Sequence, residues 1–84
     1  MDYEYFHEKS LAWLVSAHRY IKNGHFKDAI WCCKQSLELE NRGLQGLITV
    51  SYGTFMRNKY HVKAIRKIID EIKKDKRLGR NYGR

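Results

Sequence analysis

The chain has 84 residues, 17 Lys/Arg against nine Asp/Glu for a net charge of +8, 43% apolar residues and no proline. That composition belongs to a folded chain and excludes a disordered or low-complexity one. The length allows one domain with a thin core, burying about 60–65% of the surface its unfolded form exposes, so a staple, a partner or self-association is expected.

The periodicity predicts four helices. The first runs from about Tyr3 to Asn23. Phe6, Ser10, Trp13, Ala17 and Tyr20 recur every three or four residues along one face, and Leu11, Leu14, His18 and Ile21 form a second stripe. Asn23-Gly24 supplies a stop, since both residues tolerate the left-handed conformation that ends helices. The second runs from about Phe26 to Glu40, with Phe26, Ala29, Ile30, Cys33 and Leu37 inward and Asn41-Arg42-Gly43 closing it. The third is expected over about Leu44 to Asn58. Gly46 and Gly53 inside it each cost about 1 kcal/mol relative to Ala and would mark close backbone contact. The fourth is expected over about His61 to Arg77, with Val62, Ile65, Ile68, Ile69 and Ile72 inward and Lys73, Lys74, Lys76 and Arg77 in its last turn. Short connections make successive helices antiparallel. The expected fold is all-α, two consecutive helix-turn-helix hairpins over 3–41 and 44–77, in one domain over 1–77 with a basic tail at 78–84.

The first hairpin carries a recognisable pattern. Ala12 and Trp13 lie early in the first helix, Ala17 and Tyr20 follow, and Gly24 sits at the turn. Phe26 and Ala29 open the second helix, and Ser36 to Asn41 closes it. In spacing and in most residue types, Ser10–Asn41 resembles one tetratricopeptide repeat, a helical hairpin that stacks to form protein-binding surfaces. Ser16, Cys33 and Asn41 depart from the pattern, and the segment over 44–77 matches only as a degenerate second repeat.

The resemblance implies a concave groove lined by first-helix residues: Leu11, Leu14, His18, Ile21 and Lys22, then Gln45, Ile48, Tyr52, Phe55 and Met56. These are apolar and aromatic where the family's carboxylate clamp would need Lys, Asn and Arg, so an apolar or helical partner segment is the implied ligand. The bland alternative places the same stripe in a closed core. Trp31 lies off the inner stripe, as an interface anchor or as packing under the third helix.

Charge divides the chain. Residues 1–41 hold five Lys/Arg and six Asp/Glu, net −1, whereas residues 42–84 hold twelve and three, net +9. Arg57, Lys59, Lys63, Arg66, Lys67, Lys73, Lys74 and Arg77 could meet an acidic protein or nucleic-acid phosphates, with Tyr60 and Tyr82 interleaved. The bland reading is a solvated face partly paired through Asp70, Glu71 and Asp75.

Other chemistry is sparse. Cys32 and Cys33 are adjacent, which offers no disulfide framework and fits a reducing compartment. With no apolar N-terminal run, neither a signal peptide nor a membrane span is expected, and the expected location is the cytoplasm of the producing cell or of a host cell. His7, His18, His25 and His61 lack paired ligand spacing, so no metal is expected, and no cofactor. Arg19 and His25 have a spacing that resembles the Arg–His motif of small helical ribonucleases of toxin and defence systems, but His25 falls in the expected turn.

The favoured reading is a non-enzymatic protein-interaction module, an adaptor, chaperone or inhibitor of a larger protein. It would bind through Leu14, His18, Ile21, Lys22, Trp31, Ile48, Tyr52, Phe55 and Met56 and through its basic second half, with a homodimer among its expected partners. The alternative is a nucleic-acid-associated helical protein, and the ribonuclease-like toxin comes third.

Overall fold

The computed structural model describes residues 2–47 and 49–74, together with the backbone course of three helices. These are α1 (Tyr3–Lys22), α2 (Phe26–Gln45) and α3 (Tyr52–Lys74), with no strand among the described residues.

Local sequence explains each boundary. Asp2 caps α1, its carboxylate accepting the Tyr5 N–H at 3.1 Å. The α1–α2 turn is a Schellman motif. Gly24 stands at φ 79°, its N–H reaches the Ile21 carbonyl at 3.1 Å, and the His25 N–H reaches the Tyr20 carbonyl at 2.8 Å. α2 ends at Gly46, whose N–H bonds the Arg42 carbonyl. Ser51 opens α3, its Oγ accepting the Thr54 N–H at 3.2 Å.

The all-α class is borne out, but the count of four helices is corrected to three among the described residues. α2 runs past Asn41-Arg42-Gly43 to Gln45, taking in Leu44, where a new helix was expected to begin. The segment over 52–74 is then one unbroken helix, so the second hairpin over 44–77 does not exist. Two physical reasons account for this. Gly43 is buried in a helix crossing, where an added Cβ would stand 2.9 Å from Tyr3 Cδ1, so it permits contact and ends nothing. Between Asn58 and His61 there is neither glycine nor proline, and the Asn58 side chain is turned inward to Glu40. Gly53, expected to mark close contact, has nothing within 4 Å of a built Cβ. The expected tail over 78–84 and the last turn at Lys76 and Arg77 lie outside the described residues.

α1 and α2 pack as an antiparallel hairpin, and α3 packs chiefly on α2. Asn58 meets Glu40 near one end and Ile72 meets Phe26, Ala29 and Ile30 near the other, so α3 runs antiparallel to α2. Each helix turns one stripe inward, in seven-residue steps at Tyr3, Ser10 and Ala17 of α1 and in three- and four-residue steps at Phe26, Ile30, Cys33, Ser36 and Glu40 of α2 and at Ile65, Ile69 and Ile72 of α3. The apolar half gathers Ala17, Cys32, Cys33, Ile65 and Ile69, with Phe26, Ala29, Ile30 and Ile72 beyond. Burying each isoleucine is worth about 1.5–3 kcal/mol, and these three anchor α3. The other half of the same stripes is polar: Tyr3, His7 and Ser10, Ser36 and Glu40, Asn58 and His61.

Candidate functional site

Two features stand out, a buried polar cluster and an exposed face of α3. The cluster is centred on Glu40, whose side chain is 0% exposed. Its Oε1 accepts the Tyr3 hydroxyl at 2.6 Å and the Asn58 side-chain amide at 3.0 Å. Its Oε2 meets His7 Nδ1 at 2.7 Å and stands 3.8 Å from His61 Nε2. One carboxylate therefore draws donors from α1 and α3 to α2.

A chain of hydroxyls fixes the proton on His61. Ser36 donates its hydrogen to the Ser10 carbonyl at 2.8 Å, so Ser10 Oγ donates to Ser36 Oγ at 2.6 Å. Ser10 Oγ can then only accept from His61, 3.0 Å away, which places a hydrogen on Nε2. The rings of His7 and His61 meet edge to face, centroids 5.0 Å apart. Among the described residues, no buried side-chain nitrogen or oxygen lacks a partner.

The electrostatics follow from this enclosure. Burial alone would raise the Glu40 carboxyl, but hydrogen bonds from Tyr3 and His7, the charge of His7 and the Asn58 amide together hold it below its ordinary value. Burial lowers His61, and His7 adds to this, against an opposing pull from Glu40. Tyr3 is raised by burial first and by Glu40 second.

The second feature is a groove of about 830 Å³ whose described lining comes from α3. Phe55 and Val62 supply apolar surface, and Lys59, Lys63, Arg66, Lys67 and Lys74 supply charge, with Asp70 and Glu71 opposing. A smaller groove between α2 and α3, about 530 Å³ with Leu37 and Leu44 in its lining, shares Asn58, Val62 and Arg66 with it. The two form one continuous surface. Phe55 is 50% exposed, Tyr60 62% and Tyr52 76%.

The expected groove residues are divided by the structure. Leu14 and Ile21 are half-buried and pack against the buried clusters, whereas Leu11 of the same stripe is exposed. His18 and Lys22 are exposed on α1, and Trp31 is exposed on α2 while meeting Trp13 edge to face at 5.2 Å. Tyr52, Phe55 and Met56 lie together in the first two turns of α3, with Met56 half-buried. Ile48 and Arg77 lie outside the described residues. Lys59, Lys63, Arg66, Lys67, Lys73 and Lys74 are exposed on α3, whereas Arg57 forms an ion pair with Glu4 of α1. His25 lies in the α1–α2 turn, its ring edge to face with that of Tyr20 at 6.1 Å.

Sequence reasoning passed over the Glu40 cluster, because charged and polar residues are read as solvent-facing. A signal was present. Tyr3, His7 and Ser10 continue the stripe of Ala17 and Ile21, and Ser36 and Glu40 continue that of Cys33.

No protein-family model, no curated protein and no solved structure matches this chain. No described helix is long and apolar enough to cross a membrane.

Proposed function

We propose that the protein is a non-enzymatic interaction module that holds an acidic, apolar-studded segment of another protein along α3. The observation that carries this reading is the groove itself, where Phe55 and Val62 run between Lys59, Lys63, Arg66 and Lys67. Apolar surface supplies affinity there, and the surrounding cations select an acidic partner and speed its approach. The tetratricopeptide-like hairpin α1–α2 would serve as the scaffold on which α3 is displayed. Nucleic acid is the competing occupant. It is disfavoured because the cations are interrupted by Asp70 and Glu71, and no sequence motif of nucleic-acid recognition accompanies them.

The test compares partners recovered from the native cell by the full chain and by two variants. Tyr52→Ala with Phe55→Ala removes apolar surface, and Lys63→Glu with Arg66→Glu reverses charge; all four side chains are solvent-facing, so the fold should survive. One protein bound by the wild type and lost with both variants, before and after nuclease treatment, supports the reading. Binding that survives both variants, or vanishes with nuclease, rejects it.

A further inference from the structure

The Glu40 cluster has the composition of a metal site. Three helices each contribute one residue, His7 from α1, Glu40 from α2 and His61 from α3, and their ligand atoms lie within 4.8 Å of one another. We propose that these three side chains bind a zinc-class divalent transition metal, with solvent as a fourth ligand, and that the metal staples α3 to the α1–α2 hairpin.

The geometry sets the argument. Zinc bonded to nitrogen and oxygen at about 2.0–2.2 Å in a tetrahedron separates its ligand atoms by about 3.3 Å. The observed separations bracket that value: Oε2 of Glu40 is 2.7 Å from His7 Nδ1 and 3.8 Å from His61 Nε2. Closing on a metal therefore needs His7 to back away from Oε2 and His61 to turn from Ser10 Oγ toward it, the ligand atoms of all three already lying within 4.8 Å of one another.

The carboxylate is already oriented for this role. Tyr3 and Asn58 occupy Oε1, which leaves Oε2 facing both imidazoles. Such outer partners fix the direction of a ligand and tune its basicity. Access is asymmetric in a useful way. Glu40 is sealed at 0% exposure, while the side chains of His7 and His61 are 12% and 10% exposed, so an ion and its water can arrive from the histidine side.

The donor set narrows the metal. Two imidazoles and one carboxylate suit zinc and its neighbours, whereas magnesium and calcium favour oxygen alone and copper(I) favours sulfur. Without metal, both ligating nitrogens carry hydrogens: His7 N–H points to Glu40 and His61 N–H to Ser10. Binding therefore demands that Nδ1 of His7 and Nε2 of His61 give up those hydrogens and ligate as neutral imidazoles. A chain of this size has little core to spare, and a bond network joining all three helices through one ion supplies a staple.

The test uses the full chain after chelator treatment, with Co(II) and Zn(II) as probes. Expected are the intense visible bands of four-coordinate Co(II), bleached by Zn(II), and a rise in Tm with Zn(II) concentration. His61→Gln, which keeps a hydrogen-bond donor for Ser10, should weaken Zn(II) binding more than about 100-fold, and Asn58→Ala, a positioning change, by about 10- to 100-fold. Imidazole nitrogen NMR of the wild type gives an assay that needs no variant. Zn(II) should move His7 Nδ1 and His61 Nε2 and leave His18 and His25 in place. The proposal is overturned by the faint bands of six-coordinate cobalt with no change in Tm. It is overturned equally by a thiolate charge-transfer band that assigns the ion to Cys32 or Cys33, by shifts at His18 or His25 instead, or by unchanged affinity in a folded His61→Gln.

Discussion

The phenol of Tyr3 donates to Oε1 of Glu40 at 2.6 Å, joining the first turn of α1 to the end of α2 across 37 residues of sequence. Both groups are buried, and the acceptor is a carboxylate that water cannot reach. A hydrogen bond to a buried charge contributes about 1.5–3 kcal/mol, because its loss leaves that charge undersolvated. Tyr3→Phe keeps the ring against Gly43 and removes only the hydroxyl, so a loss of that size is expected in urea unfolding. A loss under about 0.5 kcal/mol would mean the bond is unimportant.

The cluster should make stability depend on acidity. In chelator-treated protein Glu40 is faced by Tyr3 and His7 of α1 and by Asn58 and His61 of α3, with Arg57 nearby. His61 titrates below its ordinary 6.5 in the folded state, so below pH 6.5 the unfolded chain binds the extra proton and stability falls. Glu40 titrates below its ordinary 4.5, so its contribution is present above that pH and is lost as pH drops through the folded value. Both slopes have the same sign. Thermal melts from pH 8 to pH 4 should show Tm falling from about pH 6.5 downward and more steeply below about 4.5. A flat profile would contradict the assignment of either group.

Much of the first hairpin was legible in the sequence. Asn23-Gly24 named its own turn, and Ala17 and Ala29, read as the small residues of the hairpin, are both fully buried. The α2–α3 region was not, for a physical reason. Gly43 looks the same in sequence whether it ends a helix or admits a neighbouring ring, and only the position of Tyr3 decides between them. The same ambiguity hid Glu40. A glutamate at an inward register is rejected by any rule that counts hydrophobicity, and it becomes acceptable only when Tyr3, His7 and Asn58 arrive from residues far away in sequence. Leu14 and Ile21 show the reverse case, since an apolar stripe reads alike as core or as groove until α3 is placed beside it.

Three glycines should respond differently to alanine. Gly24→Ala places a side chain at φ 79°, a left-handed position, and should cost about 1 kcal/mol although space is open. Gly43→Ala drives a methyl group to 2.9 Å from Tyr3 Cδ1 and 3.1 Å from Phe6 Cβ, which must displace the Tyr3 ring and with it the bond to Glu40. A cost of about 1–3 kcal/mol is expected from such overpacking. Gly53→Ala meets nothing within 4 Å in the first turn of α3 and should stabilise by about 0.5–1 kcal/mol. Chemical denaturation of the three variants checks all three signs, and a stabilising Gly43→Ala would refute the close crossing of α1 and α2.

The two thiols should report on global opening. Cys32 and Cys33 are both free and buried in the apolar half of the core, beside Ala17, Ile65 and Ile69. Burial pushes the Cys33 thiol up to about 11, with Cys32 adding to the effect, and burial also raises Cys32. The thiolate is the reactive form, so at pH 8 neither sulfur is both charged and reachable in the folded chain. Alkylation followed by mass spectrometry should therefore be slow for both cysteines and proceed through unfolding. Its rate should rise in Gly43→Ala in proportion to the lost stability and fall in Gly53→Ala. Rapid labelling of the folded wild type at either position, or rates indifferent to these variants, would place the thiols outside the core that α3 closes.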